Sequence, residues 1–257
     1  RPVPVLSYAV RHLHAIAGIV ITASHNPPQY NGYKVYWEDG AQMPPEYADQ
    51  VLAAIRKNKY QDAVEMDEQK ALESGLLKII GKAEVDDDYI ADVKTLSVQP
   101  ELMKTAGKGL KIVYTPLHGS GNKPVRRILA EIGIENVYIV KEQELPDPNF
   151  STIKVPNPED PAAFAMAMKL ADEVGADCIF GTDPDCDRVG IAVKDTEGKY
   201  YLMSGNQIGC VLLYYILKSR EALGTIPADG AVVKSVVSTE LARKIAAGFG
   251  LVTFDTL

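Results

Sequence analysis

From Lys111 onward, apolar runs of strand length alternate with segments of helical period: strands at 111–114, 137–140 and 178–182, helices at 122–132 and 158–174. Few folds accept that rhythm. Strands joined by crossover helices must lie parallel in one sheet with helices packed on its faces, so a doubly wound α/β domain is expected. Runs at 190–193 and 200–203 around Glu197-Gly198 read as a hairpin, which adds antiparallel strands to that sheet. A new start at Asn206 gives a helix to 218, a strand at 231–237, a helix at 239–247 and a strand at 251–254. The expected class is therefore α/β, in successive mixed-sheet, three-layer domains.

The amino-terminal part centres on residues 19–34. Val3, Leu6, Val10, Leu13 and Ile16 follow Pro2 and Pro4 at helical spacing, and that helix should feed a buried parallel strand at 19–22. Pro27 and Pro28 forbid the strand from continuing, so the chain must turn just after Ser24 and His25. The turn at a strand's carboxyl end is where open α/β sheets present reacting groups. Asn31-Gly32 then supplies a second tight turn that sends Lys34 back along a new strand, so a hydroxyl, an imidazole and an ammonium are expected to converge. A helix at 46–58, a strand at 76–80 and a helix at 86–96 complete this part.

The 257 residues carry a net charge of −7 with no block of Lys or Arg, and so lack the basic surface that non-specific nucleic-acid binding requires. The longest apolar stretch, 208–217, is too short to cross a bilayer. With no signal peptide at Arg1, the expected compartment is the cytoplasm. Three cysteines, Cys178, Cys186 and Cys210, have neither even number nor metal-finger spacing and read as small buried hydrophobes. An acidic protein that handles anionic small molecules must borrow positive charge locally, from a metal ion for example.

The second informative stretch is Cys178-Ile-Phe-Gly-Thr-Asp183-Pro-Asp185-Cys-Asp187-Arg188. Three carboxylates at alternate positions after an apolar strand can aim three oxygens at one point, and they are hard to keep ionised together without a cation. Hard oxygen donors select Mg²⁺. A calcium EF-hand fails, because its sixth position would be Arg188 rather than Gly and its twelfth Lys194 rather than Glu. A solvated acidic turn is the plain alternative, as is an ion pair for Arg188 with Asp183 or Asp187 in place of a fork for phosphate oxygens. Gly119-Ser120-Gly121-Asn122-Lys123-Pro124 lacks Gly-Lys-Ser/Thr and reads as a tight strand-to-helix turn, not a Walker loop. His118 beside it, like His12 and His14 on the first helix, reads as structural.

Taken together, Thr22-Ala-Ser24-His25-Asn26-Pro27, Asn31-Gly32-Tyr33-Lys34, Asp183-Pro-Asp185-Cys-Asp187-Arg188, Pro156-Asn157-Pro158-Glu159 and the stretch from Leu110 to His118-Gly119 resemble the α-D-phosphohexomutases. The resemblance is greatest to the bacterial phosphoglucomutase branch and its phosphopentomutase relatives. It implies a phosphohexomutase-type fold and an isomerase acting on sugar phosphates, with glucose 1,6-bisphosphate as activator. It also implies that Ser24 is phosphorylated and gives its phosphoryl group to the sugar, and that Asp183, Asp185 and Asp187 hold one Mg²⁺ with the Ser24 phosphate. Arg188 would contact phosphate and substrate alongside Ser24 and Asp187, while His25 and Lys34 would assist proton transfer and neutralise charge.

Family members have four domains, with a Gly-Glu-x-Ser-Gly sugar loop in the third and a phosphate-binding loop in the fourth, and neither motif occurs here. The chain is accordingly expected to hold the latter part of domain I (1–100), domain II (101–203) and the first part of domain III (204–257), truncated at both ends and inactive alone. Two readings of other classes stay open. A haloacid-dehalogenase-type phosphatase would use Asp183 as its nucleophile but leaves Ser24 unexplained, and a non-catalytic metal-binding domain would leave Ser24 unmodified.

Overall fold

A computed structural model describes residues 1–257, which divide into two compact units: residues 1–23 with 31–92, and residues 24–30 with 93–257. In the first unit, helix α1 (Val3–His12) opens with Pro at its first turn, where a missing N–H costs nothing. The helix stops four residues earlier than its apolar spacing suggested. His14 adopts a left-handed backbone (φ 51°), and Ile16 is left exposed. Strand β1 (Ala17–Ile21) follows and pairs antiparallel with β2 (Tyr33–Trp37), Val20 opposite Lys34, in a two-stranded sheet.

The parallel, buried strand expected at 19–22 is thus corrected. The chain returns through the loop 22–32, closed by the Thr22 N–H on the Gly32 carbonyl at 3.0 Å, and the neighbour is antiparallel; the second tight turn expected at Asn31-Gly32 does not form, since neither residue takes a positive φ. α1 packs on the sheet through Val3 and Val10, which cluster with Tyr36 of β2, while Ile19 and Ile21 are exposed. Helix α2 (Pro45–Ile55) forms where expected. The strand expected at 76–80 does not. Leu76 and Ile79 are exposed and no strand edge pairs with them, so a short apolar run alone was insufficient. Helices α3 (Glu68–Glu73) and α4 (Asp87–Thr95) flank that segment, α4 entered through a wide turn at Lys82–Asp86.

The second unit is built on a five-stranded mixed sheet of order β4-β3-β5-β6-β7, formed by β3 (Lys111–Thr115), β4 (Asn136–Ile139), β5 (Cys178–Thr182), β6 (Val189–Lys194) and β7 (Tyr200–Leu202). β3 runs parallel to β4 on one side and to β5 on the other, while β6 and β7 form the antiparallel hairpin. A short helix, α5 (Pro100–Ala106), precedes β3 and was not read from the sequence. Alternation along β3 assigns its two faces. Ile112 packs under α6 (Asn122–Glu131) with Leu129 and Ile134, and Val113 packs under α7 (Pro161–Val174) with Phe164, Ala167 and Ala171. The sheet is therefore covered on both sides, as a doubly wound domain requires.

α7 is delimited by local chemistry: the Asp160 carboxylate accepts the Ala162 N–H, Pro161 sits in the first turn, and Gly175 ends the helix in the left-handed region. α8 (Gly205–Ala222) starts at a reciprocal cap, in which Ser204 accepts the Gln207 N–H and the Gln207 side chain accepts the Ser204 N–H. Strands β8 (Ala231–Ser235) and β9 (Val252–Thr256) pair in parallel, joined by α9 (Leu241–Gly248). No helix is long and apolar enough to cross a membrane.

Candidate active site

Because β4 lies to one side of β3 and β5 to the other, the loops leaving the carboxyl ends of β3 and β5 separate at a topological switch point, where α/β sheets bind ligands. All three aspartates lie on the loop after β5. Asp183 is fully buried, and its Oδ1 accepts the backbone N–H groups of Asp187 (3.1 Å) and Arg188 (3.0 Å). Cys186 takes a left-handed conformation (φ 55°) to let the loop curl in this way. Asp185 is also buried and Asp187 exposed, and one oxygen from each of the three lies within 4.8 Å of the others.

Burial, the hydrogen bond with Asp185 and its charge push the Asp183 carboxyl well above the ordinary carboxylate range. A hard cation would reverse that cost, and the all-oxygen donor set fits one. The thiol of Cys186, which burial pushes up to about 11, is not part of this group of donor atoms.

The loop after β3 supports this arrangement from beneath. Ser120 donates from both its N–H (2.8 Å) and its hydroxyl (3.0 Å) to the carbonyl of Pro184, the residue between the two buried aspartates. Gly119 must be glycine for space, because a Cβ there would stand 2.5 Å from the Pro184 Cα. One at Gly121 would meet the Cys186 sulfur at 2.7 Å. The expected tight strand-to-helix turn is therefore present, with its Ser120 amide given to Pro184 rather than to a phosphate.

Ser24 belongs to the same unit as these loops. Its backbone is left-handed (φ 54°), and its Oγ lies 3.3 Å from Asp183 Oδ2, 3.4 Å from Asp185 Oδ1 and 3.3 Å from His25 Nδ1. Of the six non-glycine residues with φ > 0, four (Ser24, Leu117, His118 and Cys186) lie in the segments that meet here, and the other two, His14 and Phe150, lie outside them. The structure thus brings together Ser24, His25, Asp183, Asp185 and Asp187. The Arg188 side chain is exposed, and the group through which this residue engages Asp183 is its backbone N–H. Lys34 stands half-buried on β2 in the first unit. Sequence reasoning missed Ser120 and Gly119 as supports; the signal was the Gly-x-Gly spacing directly after β3.

Residues 1–62 match the family model for phosphoglucomutase/phosphomannomutase alpha/beta/alpha domain I, and residues 87–198 match that for domain II. The chain is 39% identical over 247 residues to the phosphoglucomutase of Staphylococcus epidermidis, covering 96% of this chain and 43% of that protein. Among solved structures, it is similar to a putative phosphomannomutase from Thermus thermophilus, with a TM-score of 0.76 and 24% identity over 99% of this chain and 52% of the other. It also shares a fold with the Aspergillus fumigatus N-acetylphosphoglucosamine mutase solved with GlcNAc-6P and magnesium (TM-score 0.55, 14% identity, 100% of this chain and 60% of that one). The chain belongs to the phosphoglucomutase/phosphomannomutase family of phosphohexomutases. It spans less than half the length of the curated relative it matches.

Proposed function

We propose that this chain carries the phosphoserine and metal centre of a Mg²⁺-dependent phosphohexomutase that interconverts hexose 1-phosphate and 6-phosphate through a bisphosphorylated sugar. Glucose is the favoured hexose on the strength of the relatives' name, with mannose or pentose phosphates as the alternatives within the family. The observation that carries this reading is the Ser24 hydroxyl set against both Asp183 and Asp185.

Ser24 Oγ bears the phosphoryl group. On transfer, its O–P bond breaks as a sugar hydroxyl oxygen forms the new one, and the sugar hydroxyl's proton passes by way of His25 to the departing Ser24 Oγ, with Lys34 contributing positive charge. Asp183, Asp185 and Asp187 are the residues that would hold Mg²⁺, which supplies charge neutralisation for the transferring group. Magnesium in the Aspergillus relative supports the same assignment here. Arg188 offers a forked set of N–H donors to phosphate oxygens of the substrate. The partner is a small sugar phosphate, with glucose 1,6-bisphosphate as activator, and the site of action the cytoplasm. The three parts run 1–100, 101–203 and 204–257.

Mapping of phosphopeptides tests the chemistry. Acid-stable phosphate on the Ser24 peptide is expected; hydroxylamine-labile label on the Asp183 peptide would overturn it in favour of an aspartyl phosphatase. The 257 residues alone should not complete the mutase cycle. Holding both reactants in place lowers a barrier by about 7–11 kcal/mol, and the resemblance assigns the contacts for the sugar's far phosphate to the phosphate-binding loop of the fourth domain. A coupled assay with glucose 1-phosphate and the bisphosphate checks this, and turnover like that of the staphylococcal relative would refute it.

A further inference from the structure

His118, which the phosphoryl chemistry above does not use, is buried with both ring nitrogens engaged: Nδ1 lies 2.9 Å from the Leu145 carbonyl and Nε2 lies 2.7 Å from the Thr152 hydroxyl. A carbonyl can only accept, so Nδ1 carries the proton. In the neutral ring Nε2 is then an acceptor, and Thr152 must donate to it. The Thr152 oxygen accepts in turn from the Gln143 amide at 3.3 Å, and the Gln143 carbonyl oxygen accepts from the Thr115 hydroxyl at 2.6 Å. Thr115 accepts the Leu117 N–H at 3.2 Å, which can only donate. With the ring neutral, this chain of hydrogen bonds has one direction, set at its two ends by the Leu117 N–H and the Leu145 carbonyl.

The relay returns to its origin. It starts at Leu117 and ends at the ring of His118, the two consecutive left-handed residues (φ 47° and 64°) that turn the loop after β3. The backbone N–H of His118 also donates to the backbone carbonyl of Gln143 at 2.9 Å. The next two residues, Gly119 and Ser120, are those that seat Pro184 between Asp183 and Asp185. A strained turn persists only when its surroundings over-determine it.

We propose that His118 is a positioning residue for the metal loop: through Thr152 and Gln143 it holds the turn that presents Ser120 to Pro184, and thereby sets the spacing of Asp183 and Asp185. This rests on the metal assignment made above. The test compares Thr152→Val, which removes the hydroxyl at constant shape, with Thr152→Ser, which keeps it, and adds His118→Gln.

Two readouts are taken on the whole chain. Magnesium titration by calorimetry should show Thr152→Val and His118→Gln weakened by about tenfold, the low end for groups that orient metal ligands, with Thr152→Ser near wild type. Metal-free amide exchange should show the Ser120 N–H exchanging about tenfold faster in Thr152→Val, with Val113 in β3 unchanged as the gauge of global stability. Wild-type Ser120 exchange in Thr152→Val overturns the proposal whatever the metal does. If wild type itself fails to bind Mg²⁺ while Ser120 loosens, the metal assignment falls and the positioning of Pro184 by His118 stands.

Discussion

The hydroxyl oxygen of Ser24 lies 3.3 Å from Oδ2 of Asp183, across 159 positions of sequence. Asp183 can offer that oxygen because its other one, Oδ1, is occupied by the N–H groups of Asp187 and Arg188. The loop's own backbone therefore orients the carboxylate. Ser24→Ala should abolish acid-stable phosphate in the chain, leaving Mg²⁺ affinity in its unphosphorylated form within about twofold, since the three aspartates supply most of the protein's donors. Phosphopeptide mass spectrometry and calorimetry on the same preparation check both halves.

Asp185→Asn removes one of two buried carboxylates that repel each other. Mg²⁺ affinity should fall by about tenfold or more, while the metal-free protein becomes more resistant to heat because a like-charge contact is gone. Melting curves with chelator and with saturating Mg²⁺ should move in opposite directions relative to wild type. Unchanged metal dependence counts against Asp185 as a ligand.

The raised carboxyl of Asp183 makes a signed prediction about pH. Without metal, the unfolded chain releases this proton in the ordinary carboxylate range, about pH 4, while the folded protein retains it to higher pH. Between those points the folded state binds more protons, so this group's contribution to stability is complete at low pH and is lost as pH rises through the folded value. In urea titrations with chelator, wild type should lose stability relative to Asp183→Asn as pH rises from about 4.5. A gain over that range would refute the shift.

Gly119→Ala places a Cβ against backbone on three sides: Pro184 Cα at 2.5 Å, Pro184 O at 2.7 Å and Pro116 O at 2.8 Å. Neither strand loop can yield cheaply, so a loss of about 1–3 kcal/mol is expected in urea unfolding, as for other overpacked interiors. The test is comparison with Phe164→Ala, the fully buried anchor of α7 on the sheet, for which about 3–5 kcal/mol is expected. Gly119→Ala should impair Mg²⁺ binding more than Phe164→Ala does, despite its smaller effect on stability.

The second unit was legible because its strands are continuous apolar runs and its helices carry caps: β5 was read at Cys178–Thr182, and the hairpin of β6 and β7 around Glu197-Gly198. Period and turn chemistry are local, so they survive in one dimension. The first unit was read less well. A β-branched run predicts burial on two faces, but whether a partner strand lies parallel, antiparallel or nowhere is a matter of long-range pairing, and β1 took the antiparallel partner to which the loop 22–32 leads.

Residue types and their spacing by themselves determined the chemical inventory of this protein: a serine and histidine at a forced turn, and three carboxylates at alternate positions after a strand. Only the tertiary structure decided that Ser24 meets Asp183 and Asp185, that Ser120 holds the peptide between those aspartates, and that His118 has its Nδ1 protonated and its ring turned inward. The reason is physical. Hydrogen bonds between residues far apart in sequence depend on where the sheet's switch point brings its loops, and no local preference of the chain encodes that distance.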